Sequence, residues 1–578
     1  GVSVYHSSTT AEVNYGSRPF AYTPPTGYVS LCSTNLPDPT IADGSTAFDV
    51  VLYSGTGSSQ TVGSLNFSPD LAWMKQRSGT RAHMIHDTVR GDNNPLYPSQ
   101  NYAEHSTSGV TFGSTGFTLG TDAHVNQSSN TYAAWTWDAG SSNTSISAGS
   151  LNSSVYNQSQ VWSTVGTITN DLTSSNQGID KAFDGSLDNS SQHYWFAQNG
   201  TTSRYTFPSV QTGTKFELYM AVSLTNTNFS VNGQQSSNVP ASGLTDQWVD
   251  VTDAVTASGL GGLSYIEISY SGGQYAQYIF AIRIDNKMYI DNGVTPPTSV
   301  PTIASTVRAN PSAGFSIVSY TGNGTNGATV GHGLSSAPSL ILLKTRGDTQ
   351  NWMVYHSALG ATKAVFLSTT DSAATSSVYF NNTEPTSSVF SLGTRAGINQ
   401  NSDPMIAYCW SEVPNYSKFG KYSGNSNNST ITNRVIDCGF KPRWVMIKSS
   451  STSGEEWMIY DSERNPSNPA NLFLRAQLSN VEASYQEREI SFVDNGFKFT
   501  GSNGQEPLNL NGREYVFAAF AESAPGDPVF ESIIVDSLAT DDLSGNNNNA
   551  SNNGATFQTS VKKFYDGAVD FGNTSQDK

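Results

Sequence analysis

The chain has 578 residues, 13% of them charged and 11% aromatic, with 51 glycines and a formal net charge of −17. That length exceeds one hydrophobic core and implies several domains, while the richness in aromatics, Gly, Ser, Thr and Asn fits short strands joined by polar turns rather than helices. The acidic balance excludes a phosphate-backbone partner, which needs clustered Lys and Arg, three cysteines (Cys32, Cys409 and Cys438) are too few for a disulfide framework, and no run approaches the roughly 20 apolar residues of a membrane-spanning helix.

Residues 1–45 carry prolines among aromatics, which forbids a central strand. The run Arg18-Pro19-Phe20-Ala21-Tyr22-Thr23-Pro24-Pro25 is similar to the tail of SPRY-like sandwich modules in large proteins of marine phages. The segment is therefore read as the end of such a module plus a linker. With Gly as first residue, the sequence reads as a processed product or a window on something longer.

Three internal repeats follow, over 46–140, 312–416 and 417–525. Each opens on a strand and a Gly turn: Phe48 to Gly55, Phe315 to Gly322, Phe419 to Gly424. Each continues with a strand ending in lysine, Leu71 to Lys75, Leu340 to Lys344 and Trp444 to Lys448. A further strand comes next, His83 to Asp87, Trp352 to His356 and Trp457 to Asp461, and an aromatic strand closes the copy at Tyr132 to Trp137, Met405 to Trp410 and Tyr515 to Phe520. Period-two alternation puts Trp135/Trp137, Tyr408/Trp410 and Ala518/Phe520 on one face, the predicted core. Lys75, Lys344 and Lys448 read as solvent-facing or cross-copy contacts. Repetition of apolar and turn positions with drifting polar ones is the mark of a scaffold.

Between the first two copies, residues 141–295 have a different pattern. Ala182-Phe183-Asp184-Gly185, followed by Tyr194-Trp195-Phe196, resembles galactose-binding-like β-sandwiches, the family of discoidin domains and many carbohydrate-binding modules. A Pro-rich linker, 296–311, leads to the second repeat. Residues 526–578, with Phe564-Tyr565-Asp566-Gly567-Ala568-Val569-Asp570-Phe571, look like the opening of a laminin-G-like jelly roll, truncated.

Few residues suggest chemistry. His83-x-x-His86-Asp87 has metal-like spacing, yet residues three apart on a strand face opposite ways. Glu455-Glu456 and Glu487/Glu489 are the dense acid pairs, without counterparts in the other copies, and hydrolytic, phosphate-loop and dinucleotide motifs are absent. No enzyme is expected. Asp180, Asp184 and Asp188 read either as oxygen ligands of a structural Ca²⁺, which related sandwiches often hold there, or as turn-forming carboxylates. His193, Tyr194, Trp195, Gln198 and Asn199 form the candidate carbohydrate site, against the bland alternative that Trp195 is buried.

The expected fold is all-β, a string of sandwich or jelly-roll-like modules in which the repeats build a rod and the insertion is displayed to the side. The three copies either imitate a symmetric ring within one chain or contribute one face each to a homo-oligomer such as a trimer. The repeats as a whole resemble β-rich modules of tail-associated and fibre-like proteins of marine, especially cyanobacterial, phages. The matching stretches are Tyr320 to Gly324, Asn351 to His356, Gly439 to Lys448 and Ala518 to Glu522. The resemblance implies a virion-surface or extracellular place, with host glycan and other virion subunits as partners and no membrane insertion. A purely architectural virion protein and a secreted bacterial surface adhesin are the alternatives.

Overall fold

The computed structural model describes residues 41, 43–107, 109–151, 155–171, 177–187, 194–197, 200–222, 227–240, 242–270, 277–294, 300–426, 434–501, 508–521, 556–558 and 568–570. The SPRY-like stretch and most of the laminin-G-like one lie outside them. Asp43–Glu522 is one compact unit; Thr556–Gln558 and Ala568–Asp570, an antiparallel pair, belong to a second. The protein is all-β, and no described helix exceeds the six residues of Thr252–Ala257.

Each repeat is a small two-layer sandwich. In repeat one the larger sheet runs Phe48–Ser54, Thr131–Trp137, Leu71–Gln76, Met84–Asp87, in that spatial order. Repeat two has Phe315–Thr321, Pro404–Trp410, Leu340–Thr345, Met353–His356, and repeat three Ser417–Ser423, Glu514–Ala521, Pro442–Ser449, Met458–Asp461. A short second sheet packs on one face and closes a private core: Ala72, Met74, Met84, Phe117 and Ala134 in repeat one, Ile341, Leu343, Met353, Phe390 and Ala407 in repeat two, Val445, Ile447, Met458, Phe497 and Phe517 in repeat three. Asn143–Ile146 and Ser305–Asn310, which the sequence places in the insertion and the linker, extend the second repeat's sheet beyond its first strand.

The repeated turn has one physical explanation in all three copies. The hydroxyls of Tyr53, Tyr320 and Tyr422 donate to the carbonyls of Val125, Ile398 and Leu508, at 2.8, 2.7 and 2.6 Å. The next residue in each copy, Asn126, Asn399 or Asn509, is fully buried and accepts backbone N–H bonds from the turn. A Cβ on Gly55, Gly322 or Gly424 would stand 2.2, 2.3 or 2.1 Å from a backbone carbonyl oxygen, so only glycine fits. Gly322→Ala is expected to cost about 1–3 kcal/mol, as overpacking against unyielding backbone does. A denaturant midpoint equal to that of the parent protein would contradict this.

The face of Trp135/Trp137, Tyr408/Trp410 and Ala518/Phe520 is buried as predicted, but against the other repeats rather than within its own. Trp137 meets Phe48 of its own copy at 4.9 Å, Trp410 of repeat two at 5.7 Å, and Phe520 and Trp444 of repeat three at 5.7 and 6.1 Å between ring centroids. The three large sheets thus turn one face each to a common aromatic centre. This is the ring within one chain, one of the two arrangements the sequence left open, and it replaces the rod expected of the repeats.

The strand-end lysines are buried rather than solvent-facing, and one of them makes the cross-copy contact, Lys448 donating to Thr370 O of repeat two at 3.4 Å. Lys75, Lys344 and Lys448 are at most 1% exposed. Each curls its ammonium back onto the strand end, where Lys344 donates to Thr345 O and Asp348 O at 2.8 and 3.0 Å and Lys448 to Ser449 O at 2.8 Å. Lys75 does the same with Gln76 O and Gly79 O. Burial pulls their pKa values down, to about 7, 8 and 8.

The insertion is a separate two-sheet sandwich. A four-stranded sheet (Thr167–Thr169, Thr202–Gln211, Leu263–Tyr270, Thr227–Val231) faces a five-stranded one (Leu244–Asp250, Phe216–Val222, Gln277–Ile284, Lys287–Tyr289, Tyr156–Asn157). Between them lies a core that includes Phe183, Trp195, Leu218, Met220, Ile266 and Ile282. The pairing of Tyr156–Asn157 with Lys287–Tyr289, over Val155, Tyr156 and Ile290, closes the base where the chain enters and leaves.

Candidate functional site

Of the carbohydrate residues predicted from sequence, His193, Gln198 and Asn199 lie outside the described residues. Tyr194 is buried at 7% exposure and Trp195 at 0%. Trp195 pairs with Ile279 through a two-way backbone bridge, sits in the sandwich core, and donates its indole N–H to Ser203 Oγ at 3.1 Å. It has no free ring face, so the bland reading of this residue is the correct one: a core tryptophan whose polar edge finds a hydroxyl.

The acidic cluster is partly described. Asp184 Oδ1 accepts the Ser186 N–H at 2.8 Å, an Asx turn after the short helix Ile179–Phe183, and the half-exposed Asp180 carboxylate meets Lys181 Nζ at 2.8 Å. Asp188 lies outside the described residues. Among the described residues no group of three His, Cys, Asp or Glu is placed to hold a metal ion.

The paired histidines and Glu455-Glu456 are structural too. His83 accepts the Trp73 indole N–H on Nδ1 at 2.9 Å, while His86 Nδ1 turns away to Asp92 O at 2.6 Å. Glu456 is held by Arg475 and Arg488 at 2.8 and 2.6 Å, and Glu455 by Arg513.

What the chain does bring together is a set of junctions between repeats, cyclically equivalent. At the junction of repeats three and one, Asp461 and Arg464 are wholly buried and joined at 2.6 Å. The Asp461 carboxylate accepts the Trp135 indole N–H at 2.9 Å, and Arg464 hands on to Glu482, which grips Arg77 through two bonds of 3.0 and 2.8 Å. The junction of repeats one and two repeats the plan with Asp87, Arg90, Glu104 and Arg346, the Tyr408 hydroxyl donating to Asp87 at 2.6 Å. Backbone bonds fix both: Glu482 N to Arg77 O and Glu104 N to Arg346 O, each 2.9 Å.

The junction of repeats two and three keeps the backbone bond, Ala373 N to Ser450 O at 2.8 Å, but drops the charges. His356 takes the aspartate's place and Ala518 that of Trp135 and Tyr408. With no side chain to meet it, the His356 ring reaches the backbone and donates from Nε2 to Phe517 O at 3.1 Å. Indole N–H groups also reach backbone carbonyls across two of the junctions, Trp352 to Tyr97 O at 2.9 Å and Trp457 to Phe366 O at 2.8 Å. The sequence signal for these networks was Asp-x-x-Arg, present at Asp87/Arg90 and Asp461/Arg464 but broken in the second copy at His356/Leu359.

Burial keeps these imidazoles neutral: His86, His332 and His356 are pulled down to about 4, and His83 well below its usual value. The unfolded chain takes up these protons near pH 6.5 and the fold, at His86, His332 and His356, only near 4, so stability falls as pH drops through that window. The cost for these three is on the order of 3 kcal/mol each at full extent. Asp70, pushed up to about 6 by burial, opposes them, as do Asp49 and Glu489, which burial also raises, while Glu482 and Asp122, held low by their partners, act with the histidines. The urea midpoint is therefore expected to be clearly lower at pH 4.5 than at pH 7; an unchanged midpoint would refute the neutral, buried assignment.

A family model described as a domain of unknown function, DUF7483, matches residues 43–180 and 289–524, well over half of the chain. The chain belongs to the DUF7483 family. The DUF7483 match takes in all three repeats and the base of the insertion, and skips 181–288, the bulk of the inserted sandwich. No curated protein and no solved structure matches the chain. Among the described residues no helix is long and apolar enough to cross a membrane.

Proposed function

We propose that this DUF7483 chain is a structural virion protein, a tail fibre or tail-associated adhesin at the particle surface, whose inserted sandwich meets host polysaccharide. The observation that carries the reading is the ring of repeats. Three sheets give one face each to a shared aromatic centre, and the polar groups at their edges are satisfied by one another, which is what a load-carrying scaffold requires. A catalytic centre would instead keep reactive groups exposed in a cleft. The insertion interrupts the family's domain and has its own core, as a displayed binding module would. Partners are then host glycan and neighbouring virion subunits, and no second copy is needed to bury the aromatic face.

The test is binding of the fluorescently labelled full chain to host cells, with envelope polysaccharide as competitor. Saturable binding abolished by the polysaccharide is expected. Absence of binding, together with co-purification with other virion proteins, would favour the purely architectural reading, which the burial of Trp195 already supports.

A further inference from the structure

The inserted sandwich has an outer face that alternation alone does not make polar. On its five-stranded sheet Leu218, Met220, Val249, Ile279 and Ile282 point into the core, which sends Glu217, Tyr219, Trp248 and Arg283 to the opposite side. The solvent side of an antiparallel sheet is ordinarily polar. Here rings run across the strands: Trp248 to Tyr219 at 5.4 Å, Tyr219 to Phe280 at 5.9 Å, Phe280 to Tyr194 at 5.9 Å, and Tyr194 to Tyr278 and Phe196 at 4.3 and 5.7 Å. Phe280 and Tyr194 are the buried floor, while Trp248, Tyr219, Tyr278 and Phe196 are half-buried. Four neighbouring chain segments at about 4.8 Å spacing make the row about 14 Å long.

Polar groups are fixed beside the row. Arg283 lies over the Trp248 ring at 4.2 Å and holds Glu217 through two bonds of 2.5 and 2.7 Å, and Lys215 meets the same carboxylate at 2.9 Å. Two of the five guanidinium donors are spent on Glu217, and the stack on Trp248 fixes the plane of the rest. Pyranose rings offer a C–H face to aromatic rings and a rim of hydroxyls to planar charged groups. A row of rings with one oriented guanidinium–carboxylate pair answers both. The two cations here, Arg283 and Lys215, are matched by two carboxylates, Glu217 and the Asp246 whose charge acts on Tyr219, and the chain as a whole carries −17, so a polyanion is disfavoured.

We propose that this sheet face, across Trp248, Tyr219, Tyr278 and Phe196 with Arg283 and Glu217 beside them, binds a neutral polysaccharide chain lying across the strands. The face takes in Tyr194 and Phe196 of the segment singled out from sequence but not the core residue Trp195 between them, and it rests on the host-polysaccharide reading above.

The test is affinity electrophoresis of the full chain through gels holding dextran, mannan, galactan or xylan, with alginate as the anionic probe. Retardation by at least one neutral polymer is expected. It should weaken at least tenfold in Tyr219→Ala/Trp248→Ala and persist in Tyr219→Phe/Trp248→Phe, which keeps the rings. Hydrogen exchange of the unaltered chain, with and without that polymer, gives a readout independent of any variant's folding: protection should appear on Phe216–Val222 and Leu244–Asp250. Neutral-polymer binding with no protection of those strands, or equal binding by a folded alanine variant, overturns the placement and leaves the adhesin reading standing. Retardation by alginate alone overturns the neutral ligand. Retardation by none of the polymers overturns the site, whereas the adhesin reading falls only if host-cell binding also fails.

Discussion

Arg464→Ala should lower the unfolding free energy by about 3–5 kcal/mol, the usual result of stripping one partner from a buried ion pair. The guanidinium is fully buried and bonds to Asp461 at 2.6 Å, Glu482 at 3.0 Å and Ile459 O at 3.0 Å. Its loss leaves Asp461, itself wholly buried, with only an indole and backbone N–H groups to offset its charge. Arg77→Ala, at the partly exposed end of the same network, should cost no more than about 1–2 kcal/mol. The second repeat shows that the site does not require charge, since it has His356 and Leu359 there. The double variant Asp461→Asn/Arg464→Leu should therefore be more stable than Arg464→Ala alone. Urea titrations of the variants decide the matter, and a double variant at least as unstable as the single one would show that the pair contributes more than mutual compensation.

Trp137→Ala should cost a comparable 3–5 kcal/mol, about what deleting a buried tryptophan costs, and should also change how the protein unfolds. The ring touches aromatics of all three repeats, so its removal opens a void at the one place where the three sheets meet. Each sandwich keeps its private core. Calorimetry should accordingly show the repeats' shared transition broaden or split in the variant, as their coupling weakens relative to their own stability. If the repeats instead behaved as independent beads, only the part of the transition due to repeat one would move.

Much of this was legible in the sequence. Alternation in Thr131–Trp137 and its two counterparts identified the buried face, and the repeated Tyr and Gly of the turn marked positions with a single steric solution. What alternation does not tell is against what a face is buried. Both faces of these strands are apolar, one toward the private core and one toward the centre, and such runs read alike. The lysines misled for a related reason: a long apolar stem lets Lys75 or Lys344 lie inside while its ammonium finds carbonyls past the strand end. The networks of Asp87 and Asp461 escaped because one copy in three lacks them. Trp195 looked like a ligand contact through its place in a loop-rich stretch, whereas its bridge to Ile279 makes it part of the sheet. The outer aromatic row was invisible because it assembles residues from four segments.

Carrying three similar modules on one polypeptide has a consequence for stoichiometry. A trimer of identical subunits would separate on dilution and would bear any appended domain three times over. Here the threefold arrangement is intramolecular, so it forms at any concentration, and each junction is free to diverge, as the His356 junction has. The inserted sandwich accordingly appears once per ring, so a scaffold of threefold plan carries one insertion and is made inequivalent at one of its three repeats.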